Sequence, residues 1–447
     1  MFTLNRTTRG LNLTNKYSMF RGSNSSISAR WYLSVLVLAV VAAKVGQYAW
    51  QYVWPQIPSI KGHSPGIWIL FVGLVITTLI WIANQNKRIN DLWFNGIIAL
   101  LAIIWLVFFI LTLYHQDLWP LTVLTMPVIL FGLWLKPPTA NDFLAALKVL
   151  AWTLMILFVV ARTLELLGLI PMVDVGSELL EFETSNYWLP LSGWLGPEGR
   201  WPGPMGHNSQ TANVTVMTLV LAFGLKGKSR YFLIIIGILT MLLTSSRTSF
   251  LALIVGLTIL IIFGDNILTR RISRRILVVV VTCIGLVLTL LVLVQNSNLT
   301  GRTTYWNLVL DYWQTSPIVG VGSDIITETD LVTIGNNAHN QVLDTLLKYG
   351  VIGAILISVL FLVALIVVVA ASRKGTVLPL ALLATYLVIG LGQADQGWSA
   401  PSVMWLWFVM PVLWAARLAT ARREPLFGGS GTKPDKSPAG KDAAATP

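Results

Sequence analysis

Arg247 lies in Thr244-Ser245-Ser246-Arg247-Thr248-Ser249, the polar interruption of an otherwise apolar stretch from Tyr231 to Gly264. A guanidinium in such a setting is expensive unless an anion pairs with it. The hydroxyls before it can cap a following helix, whose N–H groups and positive dipole end then face the same spot. The segment reads as an anion site, with an internal salt bridge to an acid such as Asp395 as the alternative. His339 offers different chemistry. It follows Gly335-Asn336-Asn337-Ala338 and opens an amphipathic run from Asn340 to Tyr349, before Gly350-Val351-Ile352-Gly353 leads into a long apolar segment. A histidine at a helix start feels the positive dipole end, which disfavours its protonation. Neutral imidazole near pH 7 is what a general base requires. The alternative for His339 is a cap and nothing more.

Two further arginines stand in turn-rich surroundings. Arg302 occurs in Thr300-Gly301-Arg302-Thr303-Thr304-Tyr305-Trp306, shortly before the Pro/Gly cluster Ser316-Pro317-Ile318-Val319-Gly320-Val321-Gly322. Arg200 and His207 share the segment Arg200-Trp201-Pro202-Gly203-Pro204-Met205-Gly206-His207-Asn208, where the glycines and prolines imply tight backbone geometry, as against a ligand. Trp188, Trp194 and Trp201 can stack on sugar rings or serve as interfacial belt aromatics. Metal chemistry finds little support. Glu181/Glu183 and Glu328/Asp330 are the nearest acid pairings, the four histidines have no i,i+4 spacing, and the single cysteine, Cys283, cannot build a thiolate site. No phosphate-binding glycine loop or nucleophile elbow is present. The expectation is a site with neither metal nor cofactor.

The elements that must hold these residues are membrane helices. The chain has 447 residues, of which 55% are hydrophobic and 11% charged, with mean hydropathy +0.72. A soluble chain would carry about 25% charged residues, so a soluble enzyme is excluded. Stretches long enough for roughly 20-residue spans occur near 31–50, 66–84, 94–114, 119–135, 143–169, 209–225, 231–244, 249–264, 276–294, 351–371, 376–392 and 399–418. The expectation is an all-α polytopic protein of about twelve spans. The net charge of +12 is distributed accordingly. If both termini are cytoplasmic, 23 of the 31 Lys and Arg residues fall on the cytoplasmic side and five on the other, as the positive-inside rule requires. The first span follows a polar segment too long for a signal peptide.

All four histidines and Arg200, Arg247 and Arg302 then lie on the outer side, where bases are scarce. Two long outer segments, 170–208 and 295–350, carry most of them; loops of that size are usually functional or disordered. Residues 1–30 form a basic cytoplasmic segment, 31–425 a single membrane domain, and 426–447 a polar tail of disordered composition. The arm 231–243 has 13 residues, about 20 Å of helix against a hydrocarbon thickness of about 30 Å. The Arg247 turn should therefore sit below the outer surface, enclosed by protein or lining a wet cavity.

With these residues in place the chain resembles the O-antigen ligase family, which includes O-antigen-type polymerases and protein O-oligosaccharyltransferases. His339-Asn340, nine residues, then Gly350-x-x-Gly353 fits a family pattern, as does Arg247-Thr-Ser-Phe-Leu251. Gly301-Arg302 with Trp306, and the Ser-Pro-x-x-Gly-x-Gly turn, look like the family's large outer loop. The resemblance spans about a third of the chain. It implies a GT-C-like membrane scaffold with a large periplasmic or extracellular loop before the tenth span. It also implies inverting, metal-independent transfer of a glycan from undecaprenyl diphosphate to an acceptor hydroxyl on a glycan, lipid or protein, at the outer face of the cytoplasmic membrane. By this resemblance His339 is the base, Arg247 and Arg302 hold the diphosphate, Arg200 assists donor binding, and His207, Asn208 and Asn340 contact substrate. Ligase and polymerase remain alternatives within the family. A twelve-span transporter or lipid flippase is the alternative outside it, and would place ionisable residues near the bilayer midplane, where this chain has few.

Overall fold

The structure, a computed structural model, describes residues 25–52, 72–79, 92–115, 120–135, 137–169, 201, 203–205, 207–244, 246–264, 302–322, 340–393 and 402–420. Among them every regular element is helical. In chain order these are α1 (Ser25–Tyr52), α2 (72–79), α3 (Leu92–Tyr114), α4 (Pro120–Leu135), α5 (Ala140–Leu166), α6 (Asn208–Gly224), α7 (Ser229–Thr244), α8 (Arg247–Phe263), α9 (Arg302–Thr315), α10 (Gln341–Ser372), α11 (Leu378–Gly392) and α12 (Val403–Thr420), with a short 3-10 turn at Gly203–Met205. The expected span at 276–294, most of that at 66–84, and the two chain ends lie outside the described residues.

Among the described residues, five segments are long and apolar enough to cross a bilayer: Ala29–Gly46, Trp93–Tyr114, Ala140–Leu166, Gln341–Ser372 and Val403–Thr420. Shorter apolar helices cover Thr125–Leu135, Ser229–Thr244, Arg247–Phe263 and Leu378–Gly392. Their outward faces remain apolar, as at Ile235, Leu239, Ile355 and Leu362, each more than half exposed. In water such surfaces would aggregate; in lipid they are the solvated side. α6 differs. Every residue from Thr211 to Ala222 is buried, so this helix is enclosed by the bundle rather than facing lipid.

Close packing fixes the relative directions. α6 and α7 form a hairpin in which Gly237 lies against Leu219. Gly256 of α8 faces both Val220 and Thr385, while Gly392 of α11 faces Thr248. α8 and α11 are therefore antiparallel, and α6 runs parallel to α8. One end of the bundle gathers bases. There Arg30 lies 3.9 Å from Asp142, which closes the capping box of α5 with Thr139. At the same end Lys374 bonds the Ala419 carbonyl, and Arg417 stacks 5.6 Å over the Phe94 ring. The opposite end carries Arg247 and the start of α10.

Candidate active site

The turn between α7 and α8 is enclosed by protein. Thr244 and Ser249 are fully buried, Ser246 is nearly so, and Arg247 is half-buried. The Trp201 N–H donates to the Leu243 carbonyl at 2.9 Å, tying the chain before α6 to the end of α7. Ser249 donates to Asn213 Oδ1 on α6 at 2.8 Å, and Thr248 packs on Gly392 of α11. With 16 and 17 residues in α7 and α8, about 25 Å each, neither arm matches the thickness of a bilayer core. The expectation was a turn below the outer surface, enclosed by protein or lining a wet cavity; the burial of Thr244, Ser246 and Ser249 agrees with enclosure by protein. One detail differs. Ser246 is the N-cap residue of α8, yet its side chain caps no backbone N–H; its hydroxyl lies 2.9 Å from Ser249 Oγ instead.

The start of α10 is built in the opposite manner. Asn340, not His339, is the N-cap, and its Oδ1 accepts from the N–H groups of Val342 and Leu343 at 2.9 and 3.2 Å. Its Nδ2 donates to the Leu391 carbonyl at the end of α11, at 3.2 Å. The end of α11 thus touches both the residue following His339 and the residue following Arg247.

Below this start, α10 bends at Gly350 (φ 63, ψ −161), a combination reserved for glycine. The Ser316–Gly322 turn docks into the bend. Val321 and Gly322 donate to the Leu347 and Lys348 carbonyls, and Val351 and Ile352 donate to those of Pro317 and Ile318. A Cβ on Gly350 would overlap the Ile318 carbonyl, and one on Gly320 would meet the backbone at 348–350. Gly353 lets Tyr349 fold back so that its ring stacks on Phe108, centroids 4.2 Å apart. Gly320 and Gly350 are thus the contact between the two motifs.

The third contribution comes from the start of α6. His207 caps it, Nδ1 accepting from Ser209 N–H at 3.2 Å, and Asn208 Oδ1 accepts from the same N–H at 2.7 Å. With Nδ1 accepting, neutral His207 carries its proton on Nε2 and presents a donor, not a base. Trp201 is buried, its indole N–H donating to Glu165 Oε2 at 2.6 Å, while Arg162 pairs with the same oxygen at 3.1 Å. Trp201 is therefore a core latch among α5, α6 and α7 and is not open to a sugar ring. His115, at the end of α3, donates from Nε2 to the Val319 carbonyl at 3.2 Å and holds the 316–322 turn.

Arg302 is the first residue of α9, and only its backbone is described. Arg200 and His339 lie outside the described residues, as do Trp188, Trp194 and Asp395. Sequence reasoning missed Asn213 and Glu165, and took Ser249 only as part of the polar stretch around Arg247. Asn213 left a faint signal as an amide in the first half of an otherwise passable apolar span.

Apolar helices in this number, lipid-compatible faces and a polar site at one end define a multi-pass membrane protein. Residues 232–358 match the family model described as O-Antigen ligase. This stretch is similar to an O-antigen ligase domain, and it contains Arg247, Arg302, His339, Asn340 and the Gly320/Gly350 contact. The ligase and polymerase superfamily comprises glycosyltransferase-like enzymes acting between a lipid-linked glycan and an acceptor. Among curated proteins none matches the chain.

Proposed function

We propose that this protein is a metal-independent, inverting membrane glycosyltransferase of about twelve spans on a GT-C-like scaffold, with both termini in the cytoplasm. It works at the outer face of the cytoplasmic membrane as an O-antigen ligase-like enzyme. The donor is a glycan on undecaprenyl diphosphate, and the acceptor is a hydroxyl on a glycan, lipid or protein. The observation that carries this reading is the Arg247 turn: an arginine on a helix start without a side-chain cap, walled by buried polar residues. That combination suits a diphosphate, which gains charge as the glycosidic bond breaks. Charge-assisted contacts are strongest where water is excluded.

In the proposed step the acceptor oxygen bonds to the anomeric carbon while the bond from that carbon to the diphosphate oxygen breaks. The acceptor proton passes to His339, and the electron pair leaves with the diphosphate. Arg247 and Arg302 meet its charge, and Arg200 assists. His207, through Nε2–H, and Asn208 and Asn340 border the substrate. His115 and His207 are engaged with a carbonyl and with a helix cap; of the other two histidines, His63 and His339, the family resemblance favours His339 as the base.

Transfer from a synthetic undecaprenyl-diphosphate oligosaccharide by the purified protein, with chelator present and the product sized, tests the reading. Transfer in one step to a non-donor acceptor, with inverted anomeric configuration, is expected. Ladders of repeat units would indicate the polymerase of the same superfamily instead. Loss of turnover in chelator, restored by magnesium, would contradict metal independence.

A further inference from the structure

The C-terminal end of α7 is finished from outside the helix. The last four carbonyls of a helix lack partners within it. On α7 the Met241 carbonyl accepts from the Thr244 hydroxyl at 3.1 Å, and the Leu243 carbonyl accepts from the backbone N–H of Trp201 at 2.9 Å. Trp201 in turn is fixed from α5. Its indole N–H donates to Glu165 Oε2 at 2.6 Å, and its ring meets Phe158 edge to face with centroids 6.1 Å apart. Glu165 is buried near the end of a helix long and apolar enough to cross a bilayer, and the same oxygen pairs with Arg162 at 3.1 Å. A carboxylate there costs desolvation that an apolar contact would avoid. What it supplies is a charge-assisted bond of fixed direction. Gly203, at φ 60, takes the chain past the indole toward α6; a Cβ there would crowd Thr211 at 2.9 Å and the Trp201 ring at 3.4 Å.

This latch bears on one side of the Arg247 turn. The α8 side is held separately, by Thr248 on Gly392 and by the Ser249 bond to Asn213. The α7 side is held at the Leu243 carbonyl, shortly before Arg247. We propose that Glu165 and Trp201 are positioning residues: through the Leu243 carbonyl they set where the end of α7 lies, and with it the depth and aim of Arg247 toward the donor's diphosphate. The proposal rests on Arg247 marking the diphosphate site. The body of α7 is secured elsewhere, where Gly237 lies against Leu219, so releasing the latch shifts the turn and leaves the bundle standing.

Titration of full-length protein in nanodiscs with an undecaprenyl-diphosphate glycan tests this, comparing native protein, Trp201→Phe, Arg247→Ala and the double variant. Trp201→Phe keeps an aromatic ring and loses the indole N–H. It should weaken donor binding by about tenfold, within the roughly hundredfold that a displacement of about 1 Å can cost a site. On the Arg247→Ala background the same substitution should cost about twofold or less, because no arginine is left to misplace; coupled residues show themselves by such non-additivity. An equal loss on both backgrounds would make Trp201 structural only, and native binding by Trp201→Phe would leave the latch without effect. Either result, with weak binding by Arg247→Ala, overturns the positioning role and leaves the site standing. Native binding by Arg247→Ala overturns the site itself. Should Trp201→Phe fail to fold, Glu165→Gln offers the indole a neutral acceptor about half as strong. It should weaken binding by about threefold, as the milder change, and again only where Arg247 is present. Equal weakening on both backgrounds, or none on either, refutes the proposal.

Discussion

Two helices begin at the same end of the bundle and finish their first turns in opposite ways. At α10 Asn340 closes two N–H groups with one side chain and anchors to α11 with the other half of its amide. At α8 the serine in the equivalent position turns inward to a buried hydroxyl. A capped start makes a rigid platform; an uncapped start next to an arginine makes a receptor for an anion. The contrast assigns the two motifs different work. On the function proposed above, α8 would receive the leaving group and His339, the residue before the α10 cap, would serve the acceptor.

The largest effect should come from the α10 side. His339→Ala should insert normally and bind donor yet turn over at least about a hundredfold more slowly, the low end of what a positioned base contributes. Turnover of the native enzyme should fall as pH drops through the histidine's titration, because imidazolium cannot accept a proton. A pH–rate profile of His339→Gln, which keeps polarity but loses basicity, checks the assignment: near-native turnover with an unchanged profile would make His339 structural.

On the α8 side, Arg247→Ala should cost about 2–4 kcal/mol of transition-state stabilisation, in the range of one lost charge-stabilising donor. Arg247→Lys should recover only part of it, because an ammonium lacks the bidentate fork. Steady-state kinetics with donor and acceptor varied separately would show the loss on the donor axis. Undiminished turnover of the Lys variant at saturating donor would reduce the site to diffuse positive charge.

Smaller effects test the platform. Gly350→Ala forces a side chain into a glycine-only conformation, about 1–3 kcal/mol by itself, and into the Ile318 carbonyl. A lower melting temperature and a lower yield of folded protein are expected, with both substrates affected alike. Asn340→Ala removes a cap worth about 1 kcal/mol and should lower stability modestly. An unchanged melting temperature would show that the Leu391 and backbone bonds matter little.

The enclosure of the Arg247 turn by protein was legible in the sequence, because apolar arms too short to span a bilayer demand protein around the polar residues between them. The Gly350-x-x-Gly353 motif was legible as a motif, but its purpose was not. Gly350 accommodates the Ser316–Gly322 turn, a partner about 30 positions away, and only the folded chain joins them. Trp201 reads equally well as a sugar platform until Glu165 is found against its indole. The hydroxyls around Arg247 were expected to cap α8. Local propensity favours that, yet the Ser246 hydroxyl meets Ser249 Oγ instead, and Ser249 in turn bonds Asn213 on α6. What sequence could not supply in each case was the direction of a hydrogen bond between distant helices.

The division of labour between α8 and α10 is tested most directly by single-turnover transfer at varied concentrations of an undecaprenyl-diphosphate glycan, comparing the native enzyme, Arg247→Ala and His339→Ala. Donor affinity and the rate of the bound complex come from the same curves. The expected result is a split: Arg247→Ala loses donor affinity together with some rate, whereas His339→Ala keeps native affinity and loses rate by two orders of magnitude or more, as for a missing base. If both variants lose affinity and rate in the same proportion, or if His339→Ala transfers at the native rate once donor is bound, the two helix starts do not divide the chemistry.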